Sequence, residues 1–267
     1  MNLITGQLLK NGQLRTMRHY KAALNSYMRF RNGKDITFKE IDTEEIQSYE
    51  AYLKNVAKVC ANTSSFYLRV LRAAYNKAVE KGFVPARQQY PFKNAYTGIA
   101  KTRKRAIPAA AVSQIRRLNA ANGADGADDA DGANRLTPKQ ELARDAFLMS
   151  FYLRGISFID LAHLRKSDLK DGFVTYTRSK TGQRLTIRWE KDMQDLVDKY
   201  QAETASSPYL FPFLTSGAVR EYTTTQERRQ DELRLYHNAE SRIAYHLKKL
   251  GASHGIQGKL TLYVARH

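Results

Sequence analysis

Between Pro91 and Pro108 the hydrophobic rhythm of this chain stops, and four cations in five residues, Lys101-Thr102-Arg103-Lys104-Arg105, stand in its place. A segment with so few apolar residues has little to bury, so it reads as a linker between two separately folding parts. The 267 residues are enough for two domains of ordinary size. The pattern divides them into a helical domain over 1–98, a basic linker over 99–108 and a second domain over 109–267.

Upstream of the break the hydrophobic period is helical. Thr16 to Phe30 puts Met17, Tyr20, Leu24, Tyr27 and Met28 on one face. A second helix starts at Thr43, whose hydroxyl can cap it, with Glu44 and Glu45 placed against the positive helix start. It turns Ile46, Tyr49, Leu53 and Val56 inward. A third is capped by Asn62 or Thr63, carries the stripe Tyr67, Val70, Leu71, Ala74, Tyr75 and Ala78, and ends at Gly82. Arg69 and Arg72 lie one turn apart beside that stripe, with Lys77 and Lys81 further on. Such a set is either a solvated helix face or a row of phosphate contacts.

Charge bears on that choice. Lys and Arg number 44 against 26 Asp and Glu, a formal net charge of +18 that far exceeds what solubility needs, so a polyanionic partner is implied. With 16 Tyr, 11 Phe and 42% hydrophobic residues, the chain is a folded protein and not a basic disordered tail. No apolar run is long enough to span a bilayer and no signal-peptide pattern opens the chain, which argues against a membrane partner. Cys60 stands alone, so no intrachain disulfide forms and a reducing cytoplasm fits. Between Val59 and Ala61 it reads as a buried small hydrophobe.

In the second domain a short helix from Ala109 to Leu118 precedes a tract of Gly, Ala and Asp from Asn122 to Asn134. The tract lacks the closing Glu of a calcium loop and reads as a flexible surface insertion. Thr137 and Pro138 have the chemistry of an N-cap and a first helical position, opening a buried helix through Ala143, Phe147 and Phe151. A shorter helical segment covers Phe158 to Leu164. Phe173 to Thr177 and Leu185 to Trp189 are β-rich runs that flank Ser179-Lys180-Thr181-Gly182-Gln183, a hairpin with a lysine at its tip. Tyr209 to Pro212 makes a buried extended turn. A long amphipathic helix spans about Thr225 to Leu250, with Leu233, Tyr236, Ile243, Leu247 and Leu250 inward, and Thr261 caps a new helix.

Three blocks in this order carry a resemblance: Phe151 to Asp168, containing Arg154-Gly155-Ile156-Ser157 and Asp160-Leu161; Ser179-Lys180-Thr181-Gly182; and Leu260-Thr261-Leu262-Tyr263-Val264-Ala265-Arg266-His267. Together they resemble the catalytic domain of tyrosine recombinases of the phage-integrase family, closest to the integrases of Bacteroides mobile elements. The first hundred residues, including Asn62-Thr63 and the run Leu71 to Ala78, resemble that family's helical core-binding domain. The resemblance implies a mainly α fold with a small β-sheet, made of a SAM-like core-binding domain and a mixed α/β catalytic domain. It also implies a DNA strand transferase in which a tyrosine attacks the scissile phosphate and forms a 3′-phosphotyrosyl link, without metal or nucleotide cofactor. The transition state gathers negative charge on the non-bridging oxygens, which calls for fixed guanidinium groups, and the departing 5′-oxygen needs a proton. Arg266 matches the second signature arginine, and Lys180 matches the hairpin lysine that serves as general acid.

Two positions depart from the family pattern. Ser157 occupies the first-arginine slot, and Arg154 precedes it by three residues; on a helix that spacing would put both on one side, so that Arg154 could reach the same phosphate. Otherwise Arg154 is a structural cation. Tyr263 stands where the family has histidine, and its phenol can donate one hydrogen bond but brings no charge. The family's nucleophile lies downstream of Arg266, so the chain as given is expected to be truncated and to bind DNA without cutting it. The resemblance names as partners duplex DNA, other protomers of a DNA-bound tetramer and host DNA-bending proteins, in a bacterial cytoplasm at the nucleoid. Arg69, Arg72, Lys77, Lys101, Arg103, Lys104 and Arg105 are the expected phosphate contacts. A non-catalytic DNA-binding regulator derived from an integrase, or a topoisomerase-like enzyme, are the other readings.

Overall fold

Among the described residues, the N-terminal unit has four helices: α1 (Asn2–Lys10), α2 (Leu14–Phe30), α3 (Thr43–Asn55) and α4 (Ala61–Glu80). The computed structural model describes residues 1–84, 90–102, 106–120, 135–214, 224–256 and 258–266. Two compact units, Met1–Arg103 and Lys104–His267, make up the chain, with their boundary inside the basic segment 99–108.

The core of the first unit is aromatic. Tyr27, Ile46, Tyr49, Leu53, Leu68 and Tyr75 bury together, and Leu8, Tyr20 and Ala74 tie α1 to α2 and α4. The phenols stay bonded inside: Tyr49 donates to Ser26 Oγ at 2.8 Å and Tyr27 to Glu45 Oε1 at 2.7 Å. Burial pushes both hydroxyls well above the ordinary tyrosine pKa.

Helix starts differ from the expected ones. Asp42, not Thr43, caps α3, its Oδ1 accepting from Glu45 N at 2.8 Å. Cys60 is the N-cap of α4 and is exposed, not buried. Contacts from Thr63 hold its thiol below the usual cysteine pKa. Asn62 is unavailable as a cap because its amide bonds both backbone groups of Ala100, at 2.7 and 3.0 Å. Ser65 Oγ donates to Gly98 O at 2.5 Å and Arg72 to Thr97 Oγ1 at 3.1 Å, so one face of α4 straps down the segment 97–100. Val56 is 69% exposed, because α3 has already ended at Asn55.

The second unit opens with α5 (Ala109–Arg117) and a two-residue parallel pair, β1 (Asn119–Ala120) with β2 (Arg135–Leu136). The tract Asn122 to Asn134 lies outside the described residues. Next come α6 (Pro138–Tyr152), α7 (Phe158–Ala162), an antiparallel sheet of β3 (Leu169–Lys170), β4 (Phe173–Thr177) and β5 (Arg184–Arg188), then α8 (Lys191–Asp198) and α9 (Thr225–Ser253).

Helix α6 is the axis of this unit. Thr137 and Gln140 form a reciprocal capping box at its start. Ala143, Ala146, Phe147 and Met149 are fully buried, packed with Leu247 and Leu250 of α9 in one core. Arg144 and Asp145 are buried beside them. Arg144 Nε donates to Asp145 Oδ1 at 2.7 Å, and Asp145 Oδ2 accepts from Tyr200 OH at 2.9 Å and Lys199 Nζ at 3.2 Å. Arg144 also bonds the Leu118 carbonyl. A buried carboxylate with this many donors keeps its charge satisfied. Phe151, expected inward, is 44% exposed, because it lies on the outer face of the last turn while Met149, Ser150 and Leu153 around it are buried.

Candidate active site

Arg154 and Ser157 do not share a helix. Helix α6 ends at Tyr152, Arg154 has φ +55° and Gly155 φ +82°, and Ser157 is the N-cap of α7. The left-handed pair turns the chain sharply and leaves the Arg154 side chain exposed. At Gly155 the backbone meets another part of the chain: an added Cβ would lie 2.9 Å from Cα, Cβ and Cγ of Arg266. The residue after Arg154 is thus packed directly against Arg266, from a distant part of the unit.

Arg266 closes a three-residue 3-10 turn, Val264–Arg266, and not an α-helix capped by Thr261. Thr261 contributes its carbonyl to Val264 N at 3.0 Å, and Arg266 N donates to Tyr263 O at 3.3 Å. Val264 and Ala265 are buried and anchor the turn, which leaves Tyr263 57% exposed and Arg266 at the surface.

A carboxylate joins the hairpin to the start of α7. Asp160, 6% exposed, accepts from Ser157 Oγ at 2.5 Å through Oδ2, and from Ser179 N at 2.8 Å and Ser179 Oγ at 2.6 Å through Oδ1. Residue 179 immediately precedes Lys180, so the clasp fixes the base of the loop that carries the lysine. The loop is closed by Arg178 N to Gln183 O at 2.9 Å and Gly182 N to Arg178 O at 2.8 Å, and Lys180 is exposed at its tip. Beneath it, burial raises the Tyr176 phenol pKa, Asp160 raises it further, and Arg178 and Arg266 pull it down. The three sequence blocks therefore meet around Asp160 and Tyr176. Asp160 had a legible signal, the Ser-x-x-Asp spacing of a capping box, though here the two side chains bond each other.

Other expected contacts are dispersed. In the first unit Arg72 is engaged with Thr97, and Lys77 Nζ sits 5.9 Å over the Tyr20 ring. Arg69 is half-buried with its Nε lacking a partner. Lys101 is exposed, whereas Arg103, Lys104 and Arg105 lie outside the described residues. No helix among the described residues is long and apolar enough to cross a membrane.

A SAM-like helical unit followed by a mainly helical unit with a small three-stranded antiparallel sheet is the integrase fold. Residues 4–96 match the phage integrase SAM-like domain. Over 94% of its length the chain is similar to a lambda integrase(75-356) dimer bound to a COC′ core site, with 17% identity, a TM-score of 0.55 and 77% of that chain covered. A lambda integrase dimer bound to a COC′ core site gives 16% identity, a TM-score of 0.57, and 100% and 67% coverage of the two chains. A lambda integrase tetramer bound to a Holliday junction gives 16%, 0.55, 98% and 69%. No curated protein matches the chain. Identities this low show a shared fold.

Proposed function

We propose that this chain is the core of a tyrosine-type site-specific DNA recombinase, which breaks and rejoins strands through a 3′-phosphotyrosyl intermediate. The observation that carries this reading is the approach of Arg266 to the Gly155 turn, with Asp160 clasping the Lys180 hairpin to Ser157, two residues further on. In this reading Arg154 and Arg266 neutralise the non-bridging oxygens of the scissile phosphate, where charge grows in the transition state. Lys180, on its exposed tip, gives the proton to the departing 5′-oxygen. Ser157 already donates its hydroxyl hydrogen to Asp160, which leaves the first-arginine role to Arg154. Tyr263 adds a neutral hydrogen bond. The nucleophilic tyrosine is assigned to no residue of this chain.

Residues 1–98 and 109–267 act as two DNA-contacting domains joined by the basic segment 99–108, on duplex DNA with other protomers in a tetramer. Host DNA-bending proteins, a nucleoid location and an origin among Bacteroides mobile elements complete the reading. The test is a nicked suicide duplex incubated with protein expressed from the complete reading frame. A covalent protein–DNA adduct that Arg266→Ala abolishes is expected. No adduct from the wild type, with duplex binding intact, would instead identify a non-catalytic regulator.

A further inference from the structure

Helix α9 carries a cationic cluster outside these three blocks. Arg242, Tyr245, His246 and Lys249 recur at i, i+3, i+4 and i+7 and share one helix face. Lys139, in the first turn of α6, acts on His246 together with Lys249 and Arg242. All three cations are exposed, and none makes an ion pair or hydrogen bond among the described residues. Lys249 Nζ rests 5.2 Å from the Tyr245 ring centroid, and that ring meets the His246 imidazole edge to face at 5.1 Å.

Among the described histidines of the unit, His163, His237 and His254 each have a bonded ring nitrogen, although His254 Nε2 is buried without a partner. His163 bonds Ile159 O and Glu232, His237 pairs with Glu240, and His254 bonds Leu250 O and Ser253. The His246 Nδ1 is buried and has no partner. Burial, then Lys139, Lys249 and Arg242, hold the imidazole below its usual pKa. Like charges gathered without a counter-ion repel one another, and a bound anion would offset that cost.

We propose that Lys139, Arg242, His246 and Lys249 form a cradle for the phosphodiester backbone of duplex DNA, read without regard to base sequence. From Arg242 to Lys249 the helix rises about 10 Å. A DNA strand offers one phosphate per roughly 3.4 Å of helix axis, so the row spans several phosphates and not a single anion. The cradle rests on the DNA-binding reading above and adds to it a contact outside the reacting centre.

The experiment measures duplex affinity against salt by fluorescence anisotropy, for the wild type, Arg242→Ala/Lys249→Ala and the charge-matched control Arg188→Ala/Lys191→Ala. The control residues already pair with Glu190 and Asp195. Losing two phosphate contacts should weaken binding about tenfold or more and flatten the log–log salt slope by about two, with the control near the wild type. Equal affinities and slopes for the wild type and the cradle variant, or an equal loss in the control, would overturn the cradle. A wild type that does not bind duplex DNA would instead remove the functional reading beneath it.

The imidazole supplies an independent readout. A phosphate beside His246 favours its protonated form, so wild-type affinity should rise as pH falls from about 7.5 to 5.5, and His246→Gln should lessen that rise. Equal pH dependence would exclude His246 from the cradle. Inorganic phosphate at the same phosphorus concentration should leave the His246 ring resonances in place while duplex DNA moves them. Equal shifts would make this a single-anion site and overturn the backbone assignment.

Discussion

Gly155 shows how one missing side chain can hold a site together. Its φ of +82° suits glycine, and any Cβ there would collide with Arg266. Gly155→Ala combines both penalties and should cost about 1–3 kcal/mol. Gly182 shares the left-handed conformation, at φ +70°, but faces open space, so Gly182→Ala should cost about 1 kcal/mol. Urea denaturation midpoints of the two variants test the order; equal values would show that the Gly155–Arg266 approach carries no energetic weight. Asp160 is the other decisive residue. In Asp160→Asn one acceptor oxygen becomes a donor facing a hydroxyl or an amide, and the lost bond should destabilise by about 1–3 kcal/mol. Hydrogen exchange at the Ser179 amide should speed up; an unchanged rate would mean that the clasp does not hold the hairpin.

Elements follow local chemistry where their ends are free to do so. Thr137-Pro138 was legible as a helix start, and the structure adds Gln140 to complete a capping box. Thr137→Ala should therefore cost about 1 kcal/mol in stability. At α3 the neighbouring candidates Asp42 and Thr43 are separated only by backbone conformation: Asp42 is extended, at φ −118° and ψ −173°, and its carboxylate reaches Glu45 N. Asp42→Ala should lose about 1 kcal/mol and Thr43→Ala markedly less, checked by thermal unfolding. Helices α1 and α8 were not read from the hydrophobic pattern; they have nine and eight residues, with two and three buried positions. Neither Asn62 nor Thr63 is the cap of α4, which Cys60 is, and the Ala100 backbone that occupies the Asn62 amide is 38 positions away.

Over the whole molecule, the charge of +18 and the two-unit division lead to one measurable consequence. Duplex affinity should fall on the order of a hundredfold or more between about 50 and 200 mM salt, as condensed counterions return to the DNA. A flat response in anisotropy titrations would contradict backbone-led binding. The charge itself is not spread at random over function. Arg72 and Lys77 hold contacts within the first unit, whereas Lys139, Arg242 and Lys249 are exposed and make no ion pair or hydrogen bond among the described residues.

Periodicity and turn chemistry are local properties, and they were enough to read the helical first unit, the Lys180 hairpin and the long α9 directly from the residue order. The clasp at Asp160, the seat of Arg266 on Gly155, the Arg144–Asp145 pair inside α6 and the exposure of Val56, Cys60 and Phe151 were not readable in that way. Each depends on which distant segment packs alongside or where the core stops, and that is set by the burial of whole faces and not by the residue's neighbours in the chain.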